Sequence, residues 1–201
     1  VADLLANDTG SVHFDETGMT NQSDLDWVHV ASTSKITLLE IHPRRGAEAI
    51  DAIEILPNFE GVAVHDGYRS YFTYSGCEHV LCNAHILREL KYISEIQHER
   101  WAGRMKDLLV RANREREGVF VLGAEERSRW QKEIDKRYDQ ILRSGYRLYG
   151  ENIDETRGAP KKNGARTEAK LLLDRMRDFK GCILAFTITN RIPFTNNQAE
   201  R

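Results

Sequence analysis

Gly61-Val62-Ala63-Val64-His65-Asp66-Gly67 is the stretch on which the fold turns. A short run dominated by β-branched and small apolar residues, closed by a carboxylate and a glycine, reads as a buried strand that presents its last side chain at a sheet edge. Ser11-Val12-His13-Phe14-Asp15 is a second extended run that also ends on an acid, and Thr17-Gly18 is expected to turn the chain just after it. Two more strands are expected over about 25–31 and 36–41, both rich in Val, Ile, Leu and Thr. In the first of these, Trp27, His29 and Ala31 alternate with Val28 and Val30, which suits a strand apolar on both faces. Residues 1–9 show little pattern.

Between these strands the punctuation is clear. Pro43 and Gly46 interrupt, and the spacing of Ala47, Ile50, Ile53 and Ile55-Leu56 predicts a short amphipathic helix ending near Pro57. A turn or helix carries Tyr68, Tyr71 and Phe72, and His79-Val80-Leu81 makes a fifth, very short strand. Three strands, a helix, a strand, then a strand and a helix is the order of an α/β, RNase H-like mixed sheet with flanking helices. Other α/β folds share that order.

From Asn83 the period becomes helical. Leu87, Leu90, Ile93 and Gln97 mark one face, and Trp101, Met105, Leu108, Leu109 and Ala112 form a regular stripe. Trp130, Ile134, Tyr138, Ile141 and Leu142 repeat it after a break at Gly118–Gly123, and Ala169, Leu172, Leu173, Met176 and Phe179 make a last stripe. These rows are core faces, and no repeat of 20–50 residues runs through them. Arg157-Gly158-Ala159-Pro160-Lys161-Lys162-Asn163-Gly164-Ala165-Arg166 is a basic loop by composition. The expected organisation is a first part of the core over 1–95, a mainly helical insertion over 96–180, and a return to the core over 181–201.

Composition limits the function classes. Forty per cent hydrophobic and 30% charged residues in 201 positions suit one globular domain, or one carrying an insertion. No apolar run approaches the roughly 18 residues of a membrane span, so no membrane association is expected. Three cysteines, few and odd in number, point to a reducing compartment and a cytoplasmic location. A net charge of −2 argues against a freestanding high-affinity nucleic-acid binder but permits an enzyme that touches DNA through a local patch. The chain starts without Met and stops one residue after Glu200, and it reads as a fragment.

Three acids stand where a chain presents a carboxylate rather than buries it. Asp15 and Asp66 close extended runs, and Glu200 follows Thr195-Asn196-Asn197, a helix-capping sequence, in the first turn of a helix. Two strand-end carboxylates and one helical carboxylate can converge on a pair of divalent cations, as metal-dependent phosphoryl transfer requires. Each also has a plain alternative, an exposed turn or cap carboxylate; for Glu200 the helix dipole alone would favour an acid there. Glu16, beside Asp15, points to the opposite sheet face if the strand persists.

Phe14-Asp15-Glu16-Thr17-Gly18, Val64-His65-Asp66-Gly67-Tyr68 and Asn196-Asn197-Gln198-Ala199-Glu200-Arg201 together resemble the catalytic-domain motifs of the IS66-type insertion-sequence transposases. Trp27-Val28-His29-Val30-Ala31-Ser32-Thr33, His42-Pro43-Arg44-Arg45-Gly46 and Leu81-Cys82-Asn83-Ala84-His85-Ile86-Leu87-Arg88-Glu89-Leu90 resemble them as well, in the same order. The resemblance runs from about residue 10 to the end. It implies an RNase H-like fold, a DDE active site, and metal-dependent DNA cleavage and strand transfer in transposition and recombination. Asp15, Asp66 and Glu200 map onto the triad. Asp15 would bridge two Mg²⁺ (or Mn²⁺) ions about 4 Å apart, with Asp66 completing one site and Glu200 the other. The implied partners are the transposon ends and target DNA, with a homo-oligomer in the active complex of a bacterial cell, acting at the nucleoid. Such transposases also carry an N-terminal DNA-recognising part and continue past the glutamate, so end recognition is not expected of this fragment alone. The opposing interpretation is a truncated, inactive remnant that folds and at most binds DNA or oligomerises; an unrelated RNase H-like nuclease is a third.

Cys82 and His85 form a Cys-x-x-His pair that resembles a supporting element seen after the second acid in several DDE transposases. With Cys77 and His79 nearby a zinc site is conceivable, but the spacing matches no common finger and zinc is not expected. A buried, hydrogen-bonded His85 is the simpler alternative. Arg44 and Arg45, Arg69 and Arg201 flank the three motifs, and Lys161, Lys162 and Arg166 occupy the basic loop. All are candidate phosphate contacts, which position DNA without reading its sequence, and all are equally compatible with solvated surface charge.

Overall fold

A short helix, α1 (Ala2–Ala6), precedes the strand that organises everything else, β1 (Ser11–Asn21). Then come β2 (Asp24–Ser32), β3 (Thr37–His42), α2 (Ala47–Ile53), β4 (Val62–His65) and β5 (Glu78–Leu81). Single 3-10 turns at Leu56–Asn58 and Arg69–Thr73 lie before and after β4. This computed structural model describes residues 1–21, 24–150 and 168–199. The described residues form two compact units, one within Val1–Ala84 joined by the segment from Arg191 on, the other within His85–Asn190.

In the first unit the five strands are ordered β3-β2-β1-β4-β5. β1, β2 and β3 are antiparallel neighbours, whereas β4 runs parallel to β1 and β5 parallel to β4. The parallel crossovers need intervening chain to return to the same end of the sheet, which α2 and the 3-10 turns provide. One sheet face is dry. Val12 and Phe14 of β1, Ala31 of β2 and Ala63 of β4 pack with Leu5 of α1, Ile50 of α2, and Ile55, Leu56, Phe59 and Tyr71. Phe14 meets Phe59 edge-on at 6.0 Å between ring centroids, the arrangement that the aromatic quadrupoles favour.

The N-terminal region holds one element that the sequence left unread and one expectation that needs correction. Residues 2–6 are helical, and Leu5 is fully buried. A helix of little more than one turn, held by Leu5 and Ala6, leaves no periodic trace in sequence. Nor does β1 end at Asp15. It continues to Asn21, with Thr17 opposite Val28 and Gly18 opposite Trp27. Pairing with β2 satisfies the backbone on that side, and a Cβ at Gly18 would lie 3.8 Å from the Trp27 ring, so the indole covers what the glycine leaves bare. Asp15 is therefore a mid-strand residue, and the Glu16 alternation follows as expected.

The second unit is helical: α3 (Asn83–Glu95) from residue 85 on, α4 (Arg100–Phe120), α5 (Ala124–Leu148), α6 (Glu168–Asp178) and α7 (Lys180–Leu184). Its core is built from the expected stripes. Trp101, Met105, Leu109 and Ala112 of α4, Ile134, Tyr138 and Leu142 of α5, and Leu172, Leu173 and Met176 of α6 are all buried. The Tyr138 hydroxyl donates to the Met176 carbonyl at 2.8 Å, giving the buried phenol its partner and linking α5 to α6. The break between α4 and α5 is narrower than expected, because α4 continues through Gly118 to Phe120. The basic loop 157–166 lies outside the described residues.

Candidate active site

Alternation along β1 sends Phe14 and Glu16 to the dry face and His13 and Asp15 to the other. β1 and β4 are parallel, with His13 opposite Val64. Two residues further along each chain stand Asp15, still within β1, and Asp66, just past the end of β4. Asp15 is half-buried and pairs across the hairpin with Val30. Its Oδ1 accepts the Glu16 amide at 3.0 Å. Asp66, one residue past β4, is half-buried too, and its Oδ1 accepts the Tyr68 amide at 2.7 Å. Gly67 bends the chain there at φ 98°, a left-handed conformation that glycine adopts without the Cβ penalty.

Negative charge gathers around this corner. Burial, followed by the charges of Glu16, Asp66 and Asp15, pushes the Tyr71 phenol well above its ordinary range.

The segment before Glu200 is secured to the same face. Asn196 is fully buried; its Nδ2 donates to the Phe14 carbonyl at 2.8 Å, its Oδ1 meets His13 Nδ1 at 2.9 Å, and its backbone amide reaches Cys82 Sγ at 3.0 Å. Because the Asn196 amide nitrogen faces a carbonyl, its oxygen must accept, so His13 carries its proton on Nδ1. The Asn83 amide adds a bond to the Phe194 carbonyl at 3.0 Å. Replacing Asn196 with Ala leaves a buried carbonyl and a buried ring N–H unsatisfied. Unfolding in urea should show a loss of about 2–3 kcal/mol; an unchanged midpoint would show that Asn196 does not hold this segment.

Glu16 is the residue that sequence reading undervalued. Its side chain, 1% exposed, receives Arg45 Nη2 at 2.8 Å and the Tyr71 hydroxyl in a short hydrogen bond. The Arg45 guanidinium lies between Trp27 and Tyr68, 4.9 and 4.2 Å from their ring centroids. The available signal was the third place in the Val12, Phe14, Glu16 alternation, an acid on a face that is otherwise core. Burial raises the Glu16 carboxyl above the ordinary carboxylate range against the opposing hydrogen bonds of Tyr71 and Arg45. The folded state therefore holds this proton more tightly than the unfolded chain. The group's contribution to stability is full below the unfolded value and declines as pH rises through the raised one. Thermal melts should show Glu16→Gln gaining on the wild-type chain as pH climbs through that window, and parallel curves would contradict it.

The remaining expected residues are spread more widely. Cys82 is buried at the end of β5, where its amide extends the sheet to the His65 carbonyl at 2.8 Å. His85 is half-buried on α3, in the helical unit. Arg44 is exposed beside Glu48 at 3.8 Å, and Arg69 is exposed at the start of its 3-10 turn. Lys161, Lys162, Arg166, Glu200 and Arg201 lie outside the described residues. Among the described residues no three His, Cys, Asp or Glu side chains group closely enough to hold a metal ion. None of their helices is long and apolar enough to cross a membrane.

A five-stranded mixed sheet in this order, with flanking helices, defines an α/β protein compatible with the RNase H-like fold. The sequence model of the transposase IS66 family matches residues 3–201, and the chain belongs to that family. Membership implies a role in DNA transposition and interaction with DNA. Neither a curated protein nor a solved structure matches the chain.

Proposed function

We propose that this chain is the catalytic core of a DDE transposase, with Asp15, Asp66 and Glu200 as its metal-holding acids. The observation that carries the proposal is the parallel register of β1 and β4, which pairs His13 with Val64, two residues before Asp15 and Asp66. The anchoring of Asn196 beside Phe14 supports the third member, since Glu200 follows four residues later. Hard carboxylate oxygens in a half-buried corner suit Mg²⁺ or Mn²⁺. A bound pair of such ions supplies Lewis-acid activation of the attacking oxygen and neutralisation of the departing one.

The chain's own residues do the positioning. The Tyr68 and Glu16 amides orient the two aspartates, and the Asn196 contacts hold the approach to Glu200. Arg44 and Arg69, exposed near the ends of β3 and β4, are suited to DNA phosphates. Arg45 is occupied with Glu16 and has a structural task. The helices between residues 85 and 190 form the insertion that separates the second acid from the third, and the basic residues Lys161, Lys162 and Arg166 are suited to further phosphate contacts. The complete complex is a homo-oligomer on transposon ends in the bacterial cytoplasm. The test is nicking of a plasmid bearing the element's ends by the full-length parent protein in Mg²⁺ or Mn²⁺, compared with its Asp66→Asn variant. Equal nicking by the two would overturn the assignment.

A further inference from the structure

Behind Asp66 runs a chain of hydrogen bonds whose direction can be deduced. The Gly67 amide donates to His65 Nδ1 at 3.1 Å, His65 Nε2 lies 3.0 Å from His79 Nδ1, and His79 Nε2 lies 2.8 Å from the Tyr74 carbonyl. A backbone N–H can only donate, so His65 Nδ1 is bare and its proton sits on Nε2. That proton needs an acceptor, so His79 Nδ1 is bare as well, and the His79 Nε2 proton goes to Tyr74. One arrangement of two neutral rings satisfies every group, and a carbonyl at one end dictates which nitrogen faces Gly67 at the other.

We propose that His65 and His79 form a tautomer-locked relay that positions the Asp66 carboxylate, with His79 setting the ring state of His65 and His65 holding the Asp66–Gly67 peptide. The relay rests on the assignment of Asp66 as a metal-holding acid. Packing favours it: His65 is fully buried among Tyr71, Phe72 and His79, with ring centroids 4.8, 4.9 and 5.2 Å away. The turn it holds is stiff at both ends, with Gly67 in a left-handed conformation and Asp66 capped by the Tyr68 amide. A ring that turned its N–H toward Gly67 would set donor against donor and push the peptide that carries the carboxylate. Orientation of ligands by such outer hydrogen bonds is a general feature of metal sites.

The first test needs no mutation. Nitrogen-15 NMR of histidine-labelled, metal-free protein should show Nδ1 bare and Nε2 protonated in both rings at neutral pH; a proton on Nδ1 of either ring overturns the relay. The second compares Mn²⁺ affinities. His79→Phe keeps the ring volume but removes the acceptor, and should weaken Mn²⁺ binding by roughly ten- to a hundredfold. His79→Asn, whose side-chain oxygen replaces Nδ1, should restore most of that loss. Wild-type affinity in His79→Phe, beside a weakened Asp66→Asn, would overturn the relay and leave the Asp66 assignment standing. Unweakened binding by Asp66→Asn would remove the assignment itself, and with it the positioning role, whatever the tautomers.

Discussion

Asp66→Asn is expected to abolish DNA nicking, by roughly three orders of magnitude or more, with the fold intact. An amide is a poor ligand for a hard divalent cation, and losing a charge-stabilising ligand at a phosphoryl-transfer centre costs about 4 kcal/mol of transition-state stabilisation. Stability should change little, because the Asn side-chain oxygen can still accept the Tyr68 amide that Asp66 Oδ1 accepts now. Asp15→Asn should give the same pattern for the same reason, its oxygen retaining the Glu16 amide. The discriminating measurement is nicking alongside a melting curve. Lost nicking with an unchanged melt supports a catalytic acid, whereas a lowered melt with proportionate loss of nicking would mean that the acid is structural.

Arg45→Met has the opposite signature, a large loss of stability. Removing the guanidinium leaves the Glu16 carboxylate, 1% exposed, with Tyr71 as its remaining side-chain partner, and strips the filling between Trp27 and Tyr68. Truncating one member of a fully buried ion pair costs about 3–5 kcal/mol; with the Arg45 side chain 39% exposed, about 2–3 kcal/mol is expected. The double variant Arg45→Met with Glu16→Gln should recover most of it, since no buried charge is then stranded. Additive losses in that cycle, measured by urea unfolding, would mean that the two residues act independently. The pair also explains why Arg44 and Arg45, neighbours in one basic doublet, have different tasks. Arg44 is in solvent, while Arg45 turns in against the sheet to meet Glu16.

Much of this could be read from residue order. The sheet was legible because its strands combine β-branched runs with turn residues, and the helices because Trp101, Met105, Leu109 and Ala112 keep one face over several turns. The end of β4 was legible because Asp66-Gly67 closes its apolar run. The length of β1 was not. Thr17-Gly18 is locally a turn signal, and only pairing with Val28 and Trp27 converts it to strand. The Glu16, Arg45 and Tyr71 cluster was not, because its members stand 29 and 55 residues from Glu16 along the chain. Asn196 was read as part of a helix cap, yet its buried contacts lie more than a hundred residues upstream.

The division has a physical cause. Order along the chain specified which segments are strand or helix, which family they belong to, and which acids are offered, since periodicity, turn chemistry and motif are local properties. Folding chose the neighbours: which strand runs beside β1, which arginine is withdrawn to balance Glu16, and which ring nitrogen of His65 is left bare for Gly67. Those outcomes follow from strand register and from the cost of burying a polar group without a partner, and both arise only when distant parts of the chain are packed together.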